Sequence, residues 1–188
     1  MKVLGISGSL RRGSHNTALL RAVADLVGDG AELEIWDGLK EVPPYDEDDD
    51  VADGPAAVAG LRAAIAGADA VLFATPEYNS SVPGQLKNAL DWVSRPLATS
   101  PLRNKPVAVV GASAGVFGAV WSQAELRKVL RAIGSRVIED GVAVGRAADQ
   151  FDERGGLVDE QLRGQIAEVV QQLLAEARAR DAAVMSAA

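Results

Sequence analysis

Residues 8–16 read GSLRRGSHN, a stretch that gathers hydroxyls, an amide and two guanidinium groups on a backbone punctuated by glycine. It stands between an apolar run, Lys2–Ile6, and a segment, Asn16–Val27, whose Leu19, Leu20, Val23 and Leu26 share one helical side. Strand-to-helix connections are ordinarily short, and this one has the composition of an anion site. The first N–H groups and the dipole of the following helix point at whatever the loop holds. Ser9, Ser14, Asn16 and Thr17 offer side-chain donors, and Arg11 adds a charged fork. Ser14 or Asn16 must also cap the helix. A bare cap with Arg11 and Arg12 in solvent is the alternative reading.

The glycine spacing narrows the choice of anion. Gly5, Gly8 and Gly13 do not make the G-x-G-x-x-G dinucleotide fingerprint. Gly8 and Gly13 keep the gap of a P-loop, but Ser14 and His15 stand where Lys and Ser/Thr are required. The later run AVLFATP ends without an Asp to hold magnesium. Ser7-Gly8-Ser9 lacks the acidic residues of a phospho-receiver. A phosphate monoester fits best.

Two further stretches have unusual composition. In TPEYNSSVPGQLKNALDW, residues 75–92, Pro76 and Pro83 stiffen the chain and Tyr78 offers an amphipathic ring. Backbone N–H groups near Glu77–Asn79 could meet the edge of a planar heterocycle, or the segment is an ordinary turn. GASAGVFGAV, residues 111–120, allows close backbone approach through its glycines, or is simply a tight turn.

Composition removes many alternatives. There is no cysteine and only one histidine, His15, so disulfides, thiolate nucleophiles, iron–sulfur clusters and Cys/His zinc sites are excluded. A Ser/His/Asp triad would have to use His15 inside the same loop. If the chain is an enzyme, its demanding chemistry therefore falls to a bound cofactor rather than to a catalytic side chain. The net charge of −7 disfavours nucleic acid and anionic membrane as partners. Pro106–Ala124 is uncharged and about as long as a membrane span, yet Gly111, Ser113, Gly115 and Gly118 mark it as a strand, a loop and a helix start. Val3–Ile6 is too short an apolar run for a secretory signal, and a cytoplasmic location is expected. The acidic run Asp46–Asp50 reads as a solvated loop in preference to a hard-cation site, so no metal is expected.

The elements that must position these loops alternate along the chain. Strands are expected at Lys2–Ile6, Glu32–Trp36, Ala70–Ala74, Lys105–Val110 and Arg136–Ile138, the last reaching towards Val144. Helices are expected at Asn16–Val27, Pro55–Ala66, Val82–Val93, Gly118–Ile133 and Asp159–Arg180, with a long loop over 38–54. This order predicts an α/β fold: a five-stranded, doubly wound parallel sheet of flavodoxin-like order 2-1-3-4-5, with helices on both faces. One domain is expected over residues 1–180, with a disordered tail at 181–188. In such sheets ligands lie beyond the carboxyl ends of the strands, where the three unusual loops belong.

Taken together, GSLRRGSHN, PEYNSSVPGQLKNALDW, GASAGVFGAVWSQAELRKVL and FDERGGLVDEQL resemble the NADPH-dependent FMN reductase family nearly end to end. The resemblance implies a flavodoxin-like enzyme that binds FMN, accepts hydride from NADPH or NADH and reduces quinones, free flavin, azo dyes or chromate. It assigns Ser9, Arg11, Ser14, Asn16 and Thr17 to the FMN phosphate and ribityl chain. It assigns Pro76, Glu77, Tyr78 and Asn79 to the flavin ring, and Ser113 and Gly115 to its far side. It further implies a homodimer through the helix bearing Asp91 and Trp92, so the helix that carries Leu86, Leu90 and Trp92 is expected to form part of a twofold interface. Members often read ARAQYHLRQ where this chain has VWSQAELRK. Trp121 thus stands for an arginine, and Ala124 and Glu125 for an aromatic–histidine pair that helps some members form tetramers. The expectation therefore stops at a dimer. A one-electron carrier like flavodoxin and a flavin-free binding module are the competing readings.

Overall fold

The structure is a computed structural model that describes residues 1–28, 30–51 and 54–187. Strands β1 (Lys2–Ser7), β3 (Ala70–Thr75) and β4 (Pro106–Ala112) are nearly continuous apolar runs, and almost every residue in them is buried. Such runs belong in the middle of a parallel sheet covered on both faces. β2 (Glu32–Trp36) alternates exposed and half-buried residues and lies at an edge beside β1. The observed order, β2-β1-β3-β4-β5, is the predicted one, and every pairing is parallel.

The far edge differs from the single strand expected there. Two short segments, β5 (Arg136–Val137) and β6 (Ala143–Val144), pair with the beginning and the end of β4. Asp140 and Gly141 lie between them, and both are poor strand formers.

Helices α1 (His15–Ala24) and α5 (Glu160–Ala187) cover one face of the sheet, where Leu19, Leu20, Val23, Ile166, Leu173 and Leu174 pack. Helices α2 (Ala56–Ala66), α3 (Gly84–Val93) and α4 (Val120–Ile133) cover the other, with Leu61, Leu86, Trp92, Leu126 and Leu130 buried against Phe73. Each fully buried Leu or Phe side chain contributes about 1.5–3 kcal/mol. α5 runs through Ala187 instead of ending at Arg180, so the tail expected at 181–188 is helical apart from Ala188, which lies outside the described residues. Ala182 and Ala183 are strong helix formers, and Arg180 Nη1 donates to Asp69 O at 3.0 Å, docking this stretch on the body of the protein.

The register decides where the loops meet. Ser7 pairs with Ala74, and Thr75 pairs with Gly111, so β1, β3 and β4 end side by side. Their following loops, residues 8–14, 76–83 and 113–119, therefore share one end of the sheet. The amino end is closed by different chemistry: Lys105 Nζ donates to Ala68 O just beyond α2, and burial pulls its ammonium below the usual lysine range.

Candidate functional site

The first loop is organised around its hydroxyls. Ser14 caps α1, its Oγ accepting from Thr17 N at 3.1 Å. Thr17 Oγ1 donates to Ser7 Oγ at 3.0 Å, and the same Ser7 oxygen accepts from Ser9 N at 3.4 Å. Gly8 N is fixed to Ala74 O at 2.8 Å. A Cβ on Gly8 would lie 2.8 Å from Leu86 Cδ2 and 3.2 Å from Pro76 Cδ, so glycine here lets the first loop lie against the second. After this anchored start, the backbone N–H groups of Arg12, Gly13, Ser14, His15 and Asn16 have no acceptor among the described residues. Arg11 and Arg12 are exposed and in no ion pair among the described residues. A run of open donors at a helix start, with a guanidinium beside it, fits a phosphate.

Asn16 is the exception among the predicted contacts. It is 2% exposed, and its amide is committed to the end of β4. Nδ2 donates to Ala112 O and Oδ1 accepts from Ala112 N, both at 2.9 Å. Asn16 therefore mimics a neighbouring strand and ties α1 to the third loop. His15 begins α1 and stacks on Phe151, with ring centroids 6.5 Å apart and planes 5° from parallel. A small hairpin over 151–157 thus backs the first loop. Its turn is held by Asp152 Oδ1, which accepts from the N–H groups of Arg154 and Gly156 at 2.8 Å. A cleft of about 210 Å³ opens beside the loop, lined by Ser7, Ser9, Thr17, Trp36, Asp37 and Lys40. Lys40 at its rim was not singled out by the sequence reading, because it belongs to a different connection.

The second loop is a tight reversal. Tyr78 and Ser81 exchange backbone hydrogen bonds at 3.2 and 3.1 Å, and the two residues between them, Asn79 (φ 53°) and Ser80 (φ 58°), are left-handed. That is the signature of a two-residue type I′ turn. Pro76 and Glu77 are half-buried at its base, while Tyr78 stands out in solvent, 56% exposed. The Glu77 carboxylate turns inward: Oε2 accepts from Trp121 N at 3.0 Å and Ser122 N at 3.1 Å, in the first turn of α4.

The rest of that motif is structural. Gln85 Nε2 donates to Leu39 O and Val42 O. Asn88 Nδ2 and Trp92 Nε1 both donate to Pro43 O, and Asn88 Oδ1 accepts from Tyr45 N. These bonds hold the start of the long loop down on α3. Leu86, Leu90 and Trp92 are at most 2% exposed and belong to the core of their own chain. Only the outer side of α3 is left for the expected twofold interface. The apolar stripe of α3 faces inward, and Lys87 and Asp91, paired at 2.7 Å, lie on the outer side. The acidic run is equally local, with Asp46 Oδ1 accepting from Asp48 N and Asp50 paired with Arg62 at 2.9 Å. Among the described residues no acidic or histidine cluster suits a metal ion.

In the third loop Ser113 N donates to Val144 O at 3.0 Å, and Ser113 Oγ donates to Gly115 O at 3.2 Å. Gly118 (φ 57°) is pressed against β6, where an added Cβ would come within 2.3 Å of Ala143 C. Gly115 differs: nothing lies nearer to its added Cβ than Ser113 Oγ at 3.8 Å. The space over Gly115 is open, as a planar ligand requires. The rim carries exposed aromatics, with Phe117 61% and Trp121 46% exposed and their rings edge-to-face at 5.0 Å.

The family sequence model described as NADPH-dependent FMN reductase matches residues 1–149. The chain belongs to the NADPH-dependent FMN reductase family. It is 45% identical over 175 residues to an NAD(P)H-dependent FMN reductase of Pseudomonas aeruginosa, covering 93% of this chain and 91% of that protein. It is 36% identical over 173 residues to a quinone reductase of Escherichia coli strain K12, covering 92% and 86%. Among solved structures it superposes on the flavoenzyme NAD(P)H:(acceptor) oxidoreductase FerB of Paracoccus denitrificans with a TM-score of 0.86 at 32% identity, covering 95% of this chain and 98% of the other. For an FMN reductase the geometry is coherent: an open donor run for a phosphate, a rigid turn and an uncovered glycine for a ring.

Proposed function

We propose that this FMN reductase binds FMN across the first, second and third loops and uses NAD(P)H to reduce a small quinone-like acceptor. The observation that carries the placement is the run of uncommitted N–H donors from Arg12 to Asn16 with Arg11 beside it. In this reading those N–H groups, the hydroxyls of Ser9 and Ser14, and the Arg11 guanidinium hold the phosphate. Thr17 braces Ser7 beneath the ribityl chain, and Asn16 acts one step removed, by holding the third loop. The backbone of Pro76–Asn79 meets one edge of the ring, and Ser113 and Gly115 face its far side.

Bound FMN supplies the hydride acceptor and electron store that a chain without cysteine lacks. The protein contributes position, a charge-complementary phosphate cradle and an exposed aromatic rim of Tyr78, Phe117 and Trp121. No side chain is required as acid or base, because solvent reaches the rim. The quinone class follows from the names of the relatives. A homodimer is part of this reading, now placed on the outward surfaces of α3 and α4 near Phe117 and Trp121. A cytoplasmic location is also part of it. Among the described residues no helix is long and apolar enough to cross a membrane.

The test is anaerobic titration of the FMN-loaded protein with NADPH and NADH, followed by steady-state kinetics with a quinone. Loss of the visible flavin band and parallel double-reciprocal lines are expected, because donor and acceptor use one open face in turn. Intersecting lines would sink the shared-face arrangement. A band that neither nucleotide bleaches would overturn the reductase reading in favour of an electron carrier.

A further inference from the structure

Helix α4 has an unusual beginning. Its N-cap, Ala119, is left-handed (φ 62°) and has no side-chain oxygen to offer. The first N–H, of Val120, bonds to Phe117 O at 3.3 Å, and that of Gln123 bonds to Ala119 O at 3.0 Å. The two between them, on Trp121 and Ser122, are both taken by Glu77 Oε2, from a different loop. A carboxylate at a helix start satisfies orphan donors and cancels the positive end of the dipole. Beside it, Thr75 Oγ1 and Ser122 Oγ share a hydrogen bond of 2.9 Å, both side chains fully buried. Further out, Ser81 Oγ donates to Glu125 Oε2 at 2.5 Å. The second loop is thereby fastened to the first turns of α4 at its base, at its start and at its turn.

We infer that Glu77 is a positioning residue with an electrostatic role: it locks the second loop to α4 and withdraws that helix end from the flavin ring. The inference rests on the FMN site proposed above. At that site α1 presents open N–H groups and a cation, while α4, at the same end of the sheet, presents none in its first turn. Reduction of a flavin adds negative charge, and a positive helix end beside the ring would favour the reduced form. Glu77 removes that bias, so it keeps the bound cofactor a stronger reductant towards the acceptor. Glu125 extends the same clamp through Ser81.

The experiment compares Glu77→Gln and Glu77→Ala with the natural protein. In the FMN-free protein, amide hydrogen exchange of Trp121 and Ser122 should be protected in the natural chain and in Glu77→Gln, whose amide oxygen still accepts, and lost in Glu77→Ala. In the FMN-loaded protein, the midpoint potential should rise in Glu77→Gln, with the ratio of affinities for reduced and oxidised FMN increasing about tenfold, which is about 30 mV for two electrons. Unchanged protection in Glu77→Ala overturns the clamp. An unchanged or lowered potential in Glu77→Gln overturns the electrostatic role. If the natural chain fails to hold FMN, the proposed function falls, while the exchange measurement still decides the clamp.

Discussion

The starts of α1 and α4 lie at the same end of one sheet and are finished in opposite ways. α1 is capped locally by Ser14, which satisfies Thr17 N and leaves the preceding donors open. α4 has no local cap and is closed by Glu77, a residue of another loop. The same backbone chemistry thus becomes an anion site in one place and a structural joint in the other. What decides between them is whether a carboxylate of the protein arrives first. The lesson is that a helix start facing a ligand cleft is a site only where the fold leaves its donors unclaimed.

The contrast can be broken most severely at Asn16, which joins the α1 start to the third loop. Asn16→Ala strips partners from both the N–H and the C=O of Ala112, each a buried group worth about 1–3 kcal/mol when left unsatisfied. A loss of about 2–4 kcal/mol in urea unfolding is expected, with weaker FMN binding as a consequence. A loss below about 1 kcal/mol would show that the bridge is incidental.

A smaller effect separates the two arginines. Arg11→Ala should weaken FMN binding by about ten- to a hundredfold, the loss of one charge-assisted contact of about 1.5–3 kcal/mol. Arg12→Ala should change it by less than about threefold, since adjacent loop side chains seldom aim at one target. Titration of the FMN-free protein by flavin fluorescence measures both. Equal losses, or none, would remove Arg11 from the phosphate cradle.

The smallest effect tests the second loop, where strain is kept rather than relieved. Ser80 is left-handed without being glycine, a conformation that costs an L-residue about 1–2 kcal/mol. Ser80→Gly should stabilise the protein by about 0.5–1 kcal/mol, since glycine's greater chain entropy offsets part of the relief. Thermal unfolding would detect it. A destabilised variant would mean that the Ser80 side chain holds the turn by contacts stronger than the strain.

Much of this was legible along the chain. The continuous apolar runs of β1, β3 and β4 announced central parallel strands, because a strand covered on both faces has no polar side to show. The loops with glycine, proline and hydroxyl residues marked the functional end. What was not legible shares one cause, dependence on residues far away in the chain. On α3, Leu86, Leu90 and Trp92 turn out to be buried in the core of their own chain, which leaves only the outer side of the helix for a second copy. At the far edge, pairing shared between β5 and β6 depends on which parts of β4 remain uncovered.

By itself the sequence determined the alternation of elements, hence the sheet order, and the residue types gathered at its carboxyl end, because hydrophobic period and turn chemistry act over a few neighbouring residues. Only the tertiary structure decided which polar groups stay free for a ligand. Asn16 finds Ala112 across 96 positions, and Glu77 finds Ser122 across 45. A carboxamide or carboxylate beside a loop can serve ligand or backbone equally well, and the choice is made by the register that brings residues far apart in sequence within hydrogen-bonding distance of one another.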